Sequence, residues 1–484
     1  RLLARLPHVR DAQCEWLLLS LCAEPRANHL LRTAAGPELL AYAAAHDAAL
    51  QEGFASVVHL PRERWVLESP RLVCTPRRYG GLGLRSAVRT APAAHFAGWA
   101  AALPLWQRRF PADCGRALAH LRAAAGPPCV LAAREAAAAL AAEGWVAPAW
   151  DALAAGADPA AHAGPGAPAP EPGEWRHGWQ FYAADARERH AAVHFLGALN
   201  SVGRALLGSQ SGPHAGESLA AIPWCPALRM TSARFVSTLR RRAWMPLAVG
   251  DAVCPCGAVL DPFGVHLLSC MRSGAVQRRA ASLERAFMGI CVEARGRCRW
   301  KPLVRDLNFG PPGELLAAED TRQLDFACFG LPVFGGMPLA VDATIVSPIS
   351  AEGVPHAGCA LDADEVFASA EAAIARDYGD VARGGRAALL CLASSVGGRW
   401  NGASRSLIRQ LVEHHAREQP SVLRRSVELA LTRRWWAVLS IARDEALAAS
   451  LDPCDLVAER GLPPLDVIDV WLRDPQGPSV LGAR

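Results

Sequence analysis

The feature that most constrains this chain is a cluster of soft metal-binding side chains, Cys254, Cys256, His266 and Cys270, confined to seventeen residues. Three thiolates and one neutral imidazole match the donor number of a closed tetrahedral zinc site and can enclose Zn²⁺ without a water ligand. Between the two ligand pairs stands Asp261-Pro262-Phe263-Gly264. Asp at the first position, Pro at the second and Gly at the fourth fit a type I turn, which would fold His266 and Cys270 back onto Cys254 and Cys256. The expectation is a structural Zn²⁺ knuckle over 251–272, set against the plainer alternative of buried, unliganded cysteines.

Positive charge gathers around the cluster. The chain carries a net +5, but residues 234–305 hold twelve Arg and Lys301 against four acids, so this block is +9 and the remainder −4. A basic block of this kind suits phosphate, because each contact releases counterions from a nucleic acid. Arg240, Arg241 and Arg242 before the cluster and Arg278 and Arg279 after it are the candidate contacts to DNA or RNA. A solvated charged face is the bland alternative.

The 484 residues, 51% of them hydrophobic, suffice for two or three packed domains. The long alanine stretch around 132–155 is interrupted by Arg134, Glu135 and Glu143, so no membrane span is expected. Fifteen cysteines without a repeating framework favour reduced thiols plus one metal cluster over a disulfide scaffold. The first residue is Arg1, and the chain reads as a fragment of a longer polypeptide.

Periodicity and turn residues suggest a mainly α N-terminal region and an α/β C-terminal domain. Residues 1–150 read as helices, with Gly80-Gly81-Leu82-Gly83 as a turn rather than a dinucleotide loop. The Ala/Pro/Gly-rich stretch 151–174 marks a linker, followed by a helical basic region over 175–250. After the knuckle, residues 273–400 carry a helix near 276–294, an apolar segment near 298–304, strands at 324–331 and 338–347, a helix near 363–378 and a buried strand at 387–396. Their order is α-β-β-β-α-β. Helices near 403–417 and 421–449 occupy the C-terminal part, 401–484.

Three segments resemble non-LTR retrotransposon polyproteins: Cys22-Ala23-Glu24-Pro25-Arg26-Ala27-Asn28-His29-Leu30-Leu31-Arg32-Thr33, Gly80-Gly81-Leu82-Gly83-Leu84-Arg85-Ser86-Ala87 and Val341-Asp342-Ala343-Thr344-Ile345-Val346-Ser347-Pro348. The resemblance covers most of the chain. It implies a region following the reverse-transcriptase palm, a CCHC zinc knuckle, and a restriction-like endonuclease of the PD-(D/E)xK fold. The polymerase would lie upstream, since no Tyr/Phe-x-Asp-Asp motif occurs here. A nuclear location is the expectation that follows.

The resemblance places Leu324-Asp325 where the family has Pro-Asp and Asp342 where it has the second acid. Two carboxylates on neighbouring strands can hold Mg²⁺, which polarises a phosphodiester and activates water. The family's lysine is missing: Thr344 and Arg376 occupy the relevant neighbourhoods, and arginine is too basic to accept a proton. Lys301, the only lysine, lies near the first strand and either approaches the site or replaces an acid. Glu293, on the preceding helix, is a further candidate ligand. The expected function is metal-dependent nicking of target DNA during retrotransposition; the alternative is a catalytically inactive nucleic-acid-binding remnant. Gly208-Ser209-Gln210-Ser211-Gly212 has Gln where a nucleophile elbow needs Ser, and Glu413-His414-His415 lacks zincin spacing. Of Arg433-Arg434-Trp435-Trp436, the tryptophans are expected in the core rather than stacked on bases.

Overall fold

A computed structural model describes residues 2–451 except 124–125, 165–176, 248–252, 259, 311–316 and 318. The N-terminal part is helical, as periodicity predicts. Its main elements are α1 (Pro37–Val57), α2 (Ala87–Arg109), α3 (Trp179–Ala198) and α4 (Ser232–Arg242). The Gly80–Gly83 segment is the expected turn. Gly80 and Gly83 have φ of +95° and +87°, and a Cβ on Gly81 would lie 2.1 Å from the Thr75 carbonyl oxygen, so the close approach requires glycine.

The linker begins later than its composition suggests. Trp150–Ala154 is a short helix with Leu153 buried, and the Trp145 indole donates to the His162 carbonyl at 2.8 Å. Residues 165–174 of the predicted linker lie outside the described residues. Phe96 of α2, Trp145, Leu153 and Trp179 of α3 share one core, so the helices on both flanks pack together. A few large apolar anchors outweigh an average over small residues.

After the knuckle helix α5 (Val265–Ser269) comes α6 (Ala275–Glu293), then strands β1 (Arg297–Trp300), β2 (Phe326–Phe329) and β3 (Leu339–Val346). Helices α7 (Glu365–Asp377) and α8 (Gly379–Gly384) lead to β4 (Ala388–Ser395). The sheet order is β1-β2-β3-β4, with the first two junctions antiparallel and β3/β4 parallel. Along β3, Leu339, Val341, Ala343 and Ile345 are buried, and Asp342, Thr344 and Val346 alternate with them as half-buried residues. This period of two puts Asp342 on the opposite face of the strand from the apolar set. The described residues are mostly helical, with this small mixed sheet towards the C-terminal side.

Two helices close the fold, α9 (Gly402–Arg417) and α10 (Ser421–Leu451). The second does not belong to a separate C-terminal unit. Its Trp435, Leu439 and Leu447 sit in the core beneath the sheet, whereas Ala437 and Ile441 sit in the core of the N-terminal helices. Trp435 and Trp436 are both buried, in line with the sequence expectation; Trp436 stacks on His214 at 4.6 Å.

A buried ionic knot joins the two cores. Asp444, 1% exposed, accepts from Arg443, from Ser218 at 2.5 Å and from Arg241 at 3.3 Å. Arg443 also donates to the Gly398 carbonyl at 3.2 Å, and Arg242 donates to the carbonyls of Gly81, Gln210 and Gly397. Removing the carboxylate strands several buried cations, so Asp444→Ala is expected to lower unfolding free energy by about 3–5 kcal/mol in urea denaturation.

Candidate functional site

The knuckle residues converge. The ligand atoms of Cys254, Cys256, His266 and Cys270 all lie within 4.8 Å of one another. Cys254 and Cys270 sulfurs are 3.9 Å apart, close to the ~3.8 Å edge of a tetrahedron with Zn–S bonds of about 2.3 Å. Cys256 Sγ lies 3.2 Å from His266 Nε2, and the other ring nitrogen, Nδ1, faces the Ala351 carbonyl at 3.0 Å. That carbonyl fixes the ring so that Nε2 points to the thiols, the usual support of a metal-bound imidazole. Donor set and geometry are compatible with zinc.

Local chemistry builds this arrangement. The Cys254 N–H donates to the Ala258 carbonyl at 2.8 Å, closing a tight loop through Gly257, whose φ is +92°. The predicted turn is present, with the Gly264 N–H donating to the Asp261 carbonyl at 3.2 Å. The Asp261 carboxylate also accepts from the N–H groups of Phe263, Val265 and His266 at 2.9, 3.1 and 2.8 Å. One aspartate thus makes the turn and holds the start of α5, the helix that carries His266 and leads into Cys270. The N–H of Ala258 pulls the Cys256 thiol down to about 7, while burial pushes Cys254 up to about 11.

The second cluster of chemistry lies at the ends of β1 and β2. Lys301 has a left-handed φ of +46°, and its ammonium pairs with Asp325 and with Glu284 of α6, the latter at 3.0 Å. Asp325 Oδ2 accepts from the Ala343 N–H at 2.7 Å, which places this carboxylate beside Asp342 on β3. Burial and then the charge of Asp325 push Asp342 up to about 6. Burial and Asp325 also raise Glu284. For Lys301 burial works downward, but Asp325 and Glu284 outweigh it and the net shift is upward, so the ammonium stays charged. Tyr378, whose hydroxyl donates to the Gln323 carbonyl at 2.7 Å, is pushed up to about 12 by burial and by Asp342 and Asp325. Arg322 bridges Asp320 and Asp380 at 2.7 and 2.6 Å and ties β2 to α8 at the same end of the sheet.

The sequence expectations fare unevenly. Asp325, Asp342 and Lys301 are brought together, and Glu284 joins them from a position that sequence reading passed over. The available signal was that Glu284 precedes Phe287 and Cys291 by three and seven residues, which puts it on the apolar stripe of α6. Glu293 is not at this site: it stands at the far end of α6 and pairs with Arg434 of α10. Arg376 is 73% exposed and pairs with its neighbour Asp377 at 3.1 Å, because the end of α7 turns it towards solvent. Thr344 lines a groove of about 1160 Å³ beside the knuckle.

The basic block also divides. Arg240 and Arg242 are buried, at 7% and 3% exposure, and Arg240 donates to the carbonyls of Val58 and His59 at 2.8 Å. Arg241 donates to the Val396 carbonyl, and buried Arg279 to those of Leu268 and Ile345. The guanidinium donors that bond here point inward to chain carbonyls rather than outward to a phosphate. Arg278 is exposed, and Arg272, Arg285 and Arg297 are exposed near it in sequence. Arg278 and Arg285 are seven residues apart on α6 and therefore share a helix face.

No protein-family model matches the chain, and no curated protein matches it. No helix among the described residues is long and apolar enough to cross a membrane.

Two measurements check this geometry. Purified chain is expected to carry one zinc held by the knuckle, lost in Cys256→Ser; Asp261→Ala should keep the ligands yet cost about 1 kcal/mol through the lost cap, read by thermal unfolding with metal analysis. Asp342 has a folded-state value near 6 against an ordinary 3.8, so ionising it destabilises the fold progressively above pH 4 and fully above pH 6. Asp342→Asn should therefore be more stable than the parent by about 1–2 kcal/mol near pH 8, with the difference vanishing at about pH 4.

Proposed function

We propose that this chain derives from the post-polymerase part of a non-LTR retrotransposon polyprotein and nicks DNA in a Mg²⁺-dependent reaction at Asp325, Asp342, Glu284 and Lys301. The observation that carries the reading is the position of the chain's only lysine. Its ammonium lies between Asp325 and Glu284, one strand from Asp342. The family resemblance requires two acids and a lysine. Here the lysine comes from the end of β1 rather than from β3 or the following helix, and its left-handed backbone turns it inward. The α-β-β-β-α-β order, interrupted by the short α8 before β4, supports the same reading.

The carboxylates fit a hard divalent cation. Burial and then the charge of Asp325 raise Asp342, and a cation between the two carboxylates would relieve their mutual repulsion. Magnesium held there would polarise the phosphodiester and lower the pKa of the attacking water. Asp325 keeps one oxygen fixed by the Ala343 N–H, so its other oxygen faces the Lys301 ammonium. Lys301, held protonated, would meet the phosphate as a charge that stabilises the transition state rather than as a base. Exposed Arg278, Arg285, Arg272 and Arg297 would contact the nucleic-acid backbone, and the zinc-compatible knuckle would anchor the region next to it.

Nicking of supercoiled plasmid in Mg²⁺ or Mn²⁺ tests the assignment. Asp325→Ala, Asp342→Ala and Lys301→Met are each expected to lower the rate by about 10²–10³-fold. Rates unchanged in these variants would refute the site. Salt-sensitive DNA binding with no nicking by the parent chain would instead identify an inert binding remnant. Arg278→Ala combined with Arg285→Ala should weaken binding across sequences and reduce the salt slope by about 2.

A further inference from the structure

Three further cysteines meet at the root of the sheet. Cys291 lies near the end of α6, Cys298 on β1 and Cys328 on β2, and their sulfurs all lie within 4.8 Å of one another. None of them belongs to the knuckle. Cys298 and Cys328 are direct cross-strand partners. In the same register the Lys301 N–H donates to the Asp325 carbonyl at 3.0 Å, which makes 298/328 a non-hydrogen-bonded pair, where opposed side chains come closest. Cys291 reaches the pair from the helix above, two turns beyond Glu284.

The turn between helix and strand is shaped to fit these sulfurs. Gly296 donates to the Cys291 carbonyl at 2.8 Å. A Cβ on Gly296 would lie 2.5 Å from Cys328 Sγ and 2.8 Å from Leu331 Cδ2, so only glycine leaves room for the thiol. Cys291 and Cys328 are fully buried, while Cys298 is half-buried and opens the cluster to solvent. No imidazole or carboxylate completes this group among the described residues. An all-sulfur set of three selects thiophilic ions and disfavours Mg²⁺ or Ca²⁺.

We propose that Cys291, Cys298 and Cys328 form a second, three-coordinate thiolate site for a thiophilic metal ion. Each thiol that ligates releases its proton to solvent, and three metal–sulfur bonds form without any redox change. The bound ion would cross-link α6, β1 and β2, the elements that carry Glu284, Lys301 and Asp325. The site stands whether or not those residues cut DNA.

Cd²⁺ is the probe, titrated into reduced, metal-free full chain against a competing chelator and followed by thiolate-to-metal charge-transfer absorption. The parent is expected to bind two equivalents, and Cys298→Ala and Cys256→Ser one each, with none in the double variant. A Cys298→Ala protein that binds as much Cd²⁺ as the parent overturns the proposal. If that variant does not fold, iodoacetamide labelling of the parent read residue by residue decides. Protection of Cys298 on adding Cd²⁺ supports the site, and labelling of Cys298 that Cd²⁺ leaves unchanged overturns it. Because Cys298 and Cys256 are read separately, a failed knuckle and a failed second site give different patterns.

Discussion

The interaction on which the rest of the structure depends is the burial of three guanidinium groups, Arg241, Arg242 and Arg443, around one carboxylate, Asp444. One negative charge cannot balance three positive ones, and the remaining demand is met by backbone carbonyls. Those carbonyls belong to Arg77, Gly81 and Gln210 on the helical side and to Val396, Gly397 and Gly398 after β4. The knot therefore holds two chain turns from distant parts of the sequence against α10. Burial lowers Arg241 to about 10 and Arg242 to about 9, so both remain charged at neutral pH. The glycines are part of the same constraint: a Cβ on Gly397 would fall 2.3 Å from the Ser209 hydroxyl.

This use of arginine changes the electrostatic picture. A +9 block suggests a basic surface, yet its most concentrated part, the Arg240–Arg242 triplet, is architectural. The charge that reaches solvent lies further along, at Arg272, Arg278, Arg285 and Arg297, with Arg295, Arg299 and Arg305 also exposed but close to acids. The proposed nucleic-acid contact thus rests on fewer residues than the net charge implies, and two of them, Arg278 and Arg285, belong to α6.

Around the sheet, two sulfur-rich clusters and one acidic cluster share the same few elements. α6 begins beside the knuckle, carries Glu284 in its middle and Cys291 in its last turn. β1 and β2 carry Cys298 and Cys328, with Lys301 and Asp325 just beyond their ends. The Ser269 hydroxyl donates to the Ile349 carbonyl at 2.7 Å, which fixes the knuckle helix to the end of β3. The position of the acids is therefore set by elements that also carry these thiols.

Read alone, the sequence determined those features that depend on local spacing. The four knuckle ligands and the Asp261–Gly264 bend were legible because their geometry is written within seventeen residues. The order of helices and strands was legible, apart from the short α8 before β4, because periods of 3.6 and 2 report which face is buried. Long-range partners were not legible in this way. Glu284 joined Lys301 and Asp325, Glu293 went to Arg434, and the arginine triplet turned inward, and only packing decided each outcome. A charged side chain has the same composition whether it meets water, a carboxylate or a carbonyl. Its partner is chosen by segments tens to hundreds of residues away, and their approach is fixed only when the cores close.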